Sequence, residues 1–249
     1  MSEWNPLRWL CGHGCLYCPE FARAKNKASS VPHLRPHWRK LPAPRKDAVC
    51  VCIDTDLFHP RVPDALIREI LAEARRVHDT DDTIFIFGTK NPGRILDYLG
   101  EMPRDSYYLV TVESDIDHHM SQAPPALERL GAFSKLSGLS MNTVLAIQPI
   151  MRFTERFADL IIATNPGQVA IGSEQFGLPF FPTPPFREAR TLAKKLKAAG
   201  VSHVGINGHE GLNFTRWPAY VKPVDYRYFD EEWIRRRWAG YKNIDKPGS

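Results

Sequence analysis

The sequence predicts an α/β fold, an open or closed β/α barrel with an appended C-terminal extension. Three observations carry that expectation. Short apolar runs alternate with segments whose apolar residues recur at helical spacing, the pattern of a parallel sheet with right-handed crossovers. Roughly seven such units follow one another, as barrel-like repetition of β/α units requires. The 21 prolines outnumber the 16 glycines, which implies many connections and excludes a simple bundle of long helices.

The elements follow in order. Residues 49–53 form an apolar run, Val49, Cys50, Val51, Cys52 and Ile53, read as a buried strand with both cysteines as small core residues. Residues 63–78 carry Leu66, Ile67, Ile70, Leu71, Ala74 and Val77 at helical spacing. Residues 83–87 are the next strand, and 91–99 a short helix with Pro92 in its first turn. A strand is expected at 107–112, a helix at 126–133, and strands at 143–147 and 168–171. Residues 187–199 read as a helix closed by Gly200, and 202–206 as a last strand. Before the first of these, residues 28–45, with Pro32, Pro36, Pro42 and Pro44, form a long connection. The expected division is a barrel over 1–212 and an extension or cap over 213–249, rich in Trp, Tyr, Arg and Pro.

Composition narrows the function classes. Of 249 residues, 43% are hydrophobic and 24% charged, which excludes disorder as a whole-chain description. No apolar stretch approaches the length of a membrane span. The start, Met1 to Pro6, lacks the basic-then-apolar pattern of a secretory leader, so a cytoplasmic chain without a membrane partner is expected. The net charge of +5 suits a polyanionic partner without demanding one.

The five cysteines say more. An odd number argues against a disulfide framework. Cys11, Cys15 and Cys18 form a C-x3-C-x2-C cluster with Gly12 and Gly14 inside it, so the backbone can wrap closely around a bound group. Three thiolates this close repel each other unless a metal holds them. A zinc ion would take a fourth ligand, for which His13, His33 and His37 are available. Three thiolates on a four-iron cluster instead leave one iron open for an exogenous ligand. The spacing, with Tyr17 before the last cysteine, resembles the signature of the radical S-adenosylmethionine (SAM) superfamily.

Ligands of parallel β/α folds bind at the C-terminal ends of strands. Those ends carry Asp54, Thr55 and Asp56; Thr89 and Lys90; Glu113 and Ser114; Gln148; Ser173 and Glu174; then Asn207, His209 and Glu210. So many polar and charged groups on one rim are costly unless they serve a site. Asp56 and Lys90 can pair with each other, or hold the amine and carboxylate of an amino-acid group. Glu113 and Glu174 can accept hydrogen bonds from a ribose or an amine, or cap the helices that follow.

Several segments together resemble the phage Gp37/Gp68 family, also called DUF5131. They are Glu3-Trp4-Asn5-Pro6 before the cysteine cluster, Asp56-Leu57-Phe58-His59 before Val62-Pro63, Thr89-Lys90-Asn91-Pro92 with Arg94, and Thr111-Val112-Glu113. The resemblance runs in order over roughly 3–210. That family looks like a divergent radical SAM branch, distantly similar to spore photoproduct lyase. The resemblance implies a partial TIM-like barrel of the radical SAM type, a [4Fe-4S] cluster held by Cys11, Cys15 and Cys18, and SAM. It also implies an external one-electron reductant and cleavage of SAM to a 5′-deoxyadenosyl radical that takes a hydrogen atom from substrate. On this reading Tyr17 lies against the adenine, Asp54 and Asp56 meet the methionine amine, and Lys90 meets its carboxylate. Glu113 and Ser114 meet the ribose, and Glu174 is a further cofactor contact. Two places depart from the family pattern: Pro19-Glu20 replaces Tyr-Ala, and Gln148 replaces an acidic residue.

The substrate is read from basic residues interleaved with aromatics. These are Arg8 and Trp9; Arg35, His37, Trp38, Arg39 and Lys40; and Arg235, Arg236 and Arg237 between Trp233 and Trp238. Such groups suit phosphate contact with base stacking, hence DNA or RNA, and a base entering a barrel mouth is physically sensible. The last group also reads as an ordinary solvated helix face. The expected function is therefore a radical SAM enzyme acting on a nucleic acid, as in base modification or repair. The alternatives are radical modification of a peptide or small molecule, and a metal-stabilised nucleic-acid-binding protein without catalysis.

Overall fold

The computed structural model describes residues 2–18, 29–41, 48–139, 142–173 and 181–207. Seven strands form one all-parallel sheet in chain order: β1 (Ser2–Trp4), β4 (Val49–Val51), β5 (Phe85–Thr89), β6 (Tyr107–Thr111), β7 (Thr143–Ile147), β8 (Gln168–Gly172) and β9 (His203–Asn207). Two short strands, β2 (Leu7–Arg8) and β3 (His33–Leu34), make a separate antiparallel pair. Among the described residues, no ladder joins β1 to β9.

Strands in a parallel sheet are covered on both faces and read as continuous apolar runs. β7, Thr143–Ile147, is buried at every position. Its neighbours are set by register: Leu109 opposite Val144, and Leu145 opposite Val169. The covering helices are amphipathic. In α1 (Asp64–Asp81), Ile67, Ile70, Leu71, Ala74 and Val77 are buried. In α5 (Phe186–Ala198), Ala189, Leu192, Ala193 and Leu196 are buried. Gly200, at φ 89°, supplies the left-handed turn that ends this last helix. Phe58, Phe85, Phe87, Phe133 and Phe157 lie fully buried in the core.

The structure revises several boundaries. The strand expected at 83–87 is shifted to 85–89, because pairing with β4 places Phe85 opposite Val49. The helix expected at 91–99 is a single α turn, α2 (Pro92–Ile95), followed by a 3-10 helix, Leu96–Glu101. The helix expected at 126–133, α3 (Ala126–Leu139), continues past Phe133 to Leu139. Four elements lacked a sequence expectation: β1, β2, β3 and α4 (Phe157–Ala163). Among the described residues, no helix is long and apolar enough to cross a membrane. The expected extension at 213–249 lies outside the described residues.

Candidate active site

A cavity of about 410 Å³ opens at the C-terminal ends of the parallel strands. Its walls are largely apolar, with Val51, Ile53, Ile86 and Leu109 from the sheet. Its rim carries Cys11, Cys15 and Cys18 together with Asp54, Thr55, Asp56 and Lys90. The triplet therefore faces the strand ends where ligands of such folds bind. None of the five cysteines forms a disulfide. Cys50 and Cys52 also line the cavity; Cys52 is buried, as a core residue should be, whereas Cys50 is half-buried.

The cysteine loop is a pair of tight turns. The Gly14 N–H donates to the Cys11 carbonyl, and the Cys18 N–H to that of Cys15. Gly14 sits at φ 54°, where a side chain is strained. Gly12 lies directly on the His59 ring; a Cβ added there would come within 2.5 Å of two ring atoms. Burial and the neighbouring His13 push His59 down to about 4, so at neutral pH it packs as an uncharged ring between Trp9 and His13.

Two buried carboxylates fasten this loop to the sheet. Asp56 takes a hydrogen bond of 2.8 Å from His13 Nε2, and others from Thr89 Oγ1, Phe58 N and Lys90 N. Burial alone would raise its carboxyl, but the His13 contact and these donors hold it below the usual range. Glu113 takes a 2.5 Å bond from the Tyr17 hydroxyl, a 2.8 Å bond from Arg129 Nη1, and an ion pair from Lys90 Nζ. Burial opposes its ionisation too, and the Lys90 and Arg129 charges overcome that and hold it far below the ordinary range. Tyr17 is pushed upward by burial, Cys15 and Glu113, so its hydroxyl stays protonated as donor.

The expected site residues thus divide. Tyr17, Lys90 and Glu113 are brought together; Tyr17, Asp54, Asp56 and Lys90 line the cavity. The side chains of Asp56 and Lys90 do not pair with each other: the Lys90 backbone N–H reaches Asp56 and its ammonium goes to Glu113. Asp54 is ion-paired with Arg35. The Ser114 hydroxyl donates to the Arg152 carbonyl at 2.6 Å and accepts from Ile116 N, so it serves its own loop. Gln148 lines the cavity and its side chain lies on Gly172, where an added Cβ would come within 2.6 Å. Glu174 and the cluster around Arg235, Arg236 and Arg237 lie outside the described residues. Of the other basic-aromatic group, Trp38 stacks on Trp4 at 6.2 Å, and Arg39 lies 4.8 Å from the Trp38 ring centroid. Arg129 had no sequence expectation. Its signal was a cation on the apolar stripe of α3 beside Leu130, Phe133 and Leu136.

The donor set fits a metal cluster. Burial, Asp56 and Cys15 push the Cys11 thiol far up, so its thiolate calls for added positive charge, as a metal supplies. Among the described residues, no three His, Cys, Asp or Glu side chains are grouped as they would be around a metal ion. Cysteine thiolates are the donors that iron–sulfur clusters take.

Comparison with known proteins gives the fold. Three solved structures of spore photoproduct lyase variants superpose on this chain. One, with bound AdoMet and dinucleoside spore photoproduct, has a TM-score of 0.61 at 10% identity, over 82% of this chain and 75% of that one. The other two have TM-scores of 0.59 and 0.56 at 10% and 12% identity, over 82% and 80% of this chain and 75% and 74% of theirs. The chain shares the fold of spore photoproduct lyase. No family model and no curated protein sequence matches the chain.

Proposed function

We propose that the chain is a radical SAM enzyme. The observation that carries this reading is the placement of the C-x3-C-x2-C loop on the rim of a cavity at the strand ends of a radical SAM-like sheet. Cys11, Cys15 and Cys18 would hold three irons of a [4Fe-4S] cluster, with SAM at the fourth. When bound, the two supply one-electron cleavage of a carbon–sulfur bond and a carbon radical able to take a hydrogen atom, the electron coming from an external donor.

The chain's own groups would bind and orient SAM. A cavity of about 410 Å³ lies within the range of small-molecule sites. Around Glu113, two cations face one carboxylate, and the surplus positive charge suits the methionine carboxylate at Lys90. Thr55 lines the cavity, and its hydroxyl is buried with no hydrogen-bond partner among the described residues. It is therefore a better ribose contact than Ser114, which is committed to its loop. The apolar walls would exclude water from reactive species. A nucleic-acid substrate is supported by the net charge of +5 and by the neighbouring structure that binds a dinucleoside.

The test is anaerobic purification with iron, sulfide and zinc analysis, then incubation with SAM and dithionite. About four irons per chain and a broad visible absorption are expected, with 5′-deoxyadenosine released. Cys11→Ala/Cys15→Ala/Cys18→Ala should lose all three signals. About one zinc and no iron after reconstitution would overturn the reading and leave a metal-stabilised binding protein.

A further inference from the structure

Residues 118–123, in the loop after β6, form a second wall of the cysteine loop. The Leu16 N–H donates to the Met120 carbonyl at 2.9 Å, and the Gln122 N–H to the His13 carbonyl at 2.7 Å. Between these two bonds, the Ser121 hydroxyl lies 3.1 Å from the sulfur of Cys15. Cys15 is buried, at 6% exposure, so water does not compete freely for that sulfur.

The direction of the bond follows from the other contacts. Ser121 Oγ accepts from the Ala123 N–H at 3.1 Å, which fixes the oxygen and leaves one proton to give. The rival acceptor is the His13 carbonyl at 3.4 Å, already engaged by Gln122 at 2.7 Å. A thiolate has no proton, so once Cys15 is ionised as a ligand the hydroxyl is the donor.

We infer that Ser121 is a positioning residue that sets the reduction potential of the cluster through Cys15; this rests on the cluster reading above. A hydrogen bond to a ligand sulfur draws electron density from it. It thereby stabilises the more negative, reduced cluster and raises the potential at which the cluster takes its electron. Lys90 and Arg129 are already tied to Glu113, and among the described residues the Ser121 hydroxyl is the side-chain donor seated on this sulfur.

The experiment is an anaerobic redox titration of the full-length chain with dithionite and mediators, followed by electron paramagnetic resonance of the reduced cluster. Ser121→Ala should load iron as the native chain does and titrate at a lower potential. Ser121→Thr keeps the hydroxyl and should stay near the native value, while Ser121→Val, of nearly the same shape, should follow the alanine variant. Equal potentials for native and Ser121→Ala would overturn the proposal alone. Should the alanine variant fail to load, the threonine and valine pair decides in the same way, equal potentials again overturning it. A native chain that takes up no iron would overturn the cluster reading itself, and this inference with it.

Discussion

Glu113→Ala is expected to destabilise the chain by about 3–5 kcal/mol, the cost of leaving buried charges without their partner. Glu113 is 4% exposed, and the Arg129 side chain opposite it 8%. Removing the carboxylate strands that guanidinium, strands Lys90, and takes the acceptor from the Tyr17 hydroxyl. Replacing one partner is far worse than replacing the whole network with apolar groups. Glu113→Gln should cost less, since the amide oxygen still accepts one bond, but the two cations lose their counter-charge. Urea unfolding of the metal-free chain checks both values. A loss under about 1 kcal/mol for Glu113→Ala would mean that water reaches this corner and that the ion pairs behave as surface pairs do.

The same network fixes the sign of the pH dependence. The folded carboxyl of Glu113 is held below its ordinary value of 4.5, and that of Asp56 below 3.8. Their contribution is present in full above those ordinary values. It is lost as the pH falls from there toward the folded values, because the unfolded chain takes up protons first. His59, held at about 4 in the folded chain against an ordinary 6.5, adds a loss that begins higher. The native chain should therefore lose stability from about pH 6.5 downward, and more steeply below about pH 4.5, where Glu113 and Asp56 join. Glu113→Gln, lacking one of the two carboxyls, should show a shallower acid slope.

The sheet strands β4 to β9 were legible because parallel strands advertise themselves as apolar runs and their crossover helices as amphipathic repeats. β1 was not: Ser2, Glu3 and Trp4 have no apolar period, and the strand exists because its backbone pairs with Val49–Val51. α4 was missed because its buried residues, Phe157, Ala158 and Ile161, occupy only 7 residues, too few to show a helical period. In the site, the cysteine triplet and the polar strand ends could be read, since each is a local signal. What holds the triplet could not. Tyr17 meets Glu113 across 96 positions, and Ser121 meets Cys15 across 106. Lys90 and Asp56 are adjacent to the same site yet turn their side chains to different partners. Pairing of this kind is decided by which strand ends become neighbours, and no spacing in the chain records it.

The contact of Gly12 with His59 gives the second large effect. Gly12→Ala should abolish iron loading while leaving the sheet folded. Its Cβ would come within 2.5 Å of Cε1 and Nε2 of His59, closer than packed atoms stand, and overpacking of this kind costs about 1–3 kcal/mol. The ring cannot simply step aside, since Trp9 and His13 pack on it and the Arg61 N–H donates to its Nδ1. The loop must therefore shift, and Cys11, the residue before, shifts with it. A rescue separates this cause from general damage. Gly12→Ala/His59→Ala removes the obstacle and should recover iron binding above the single variant, though below the native chain because the ring's packing is gone. Iron content and circular dichroism, measured together on all three chains, decide it. An equal loss in the double variant would show that Gly12 is needed for its backbone alone, and that His59 is not what confines the loop.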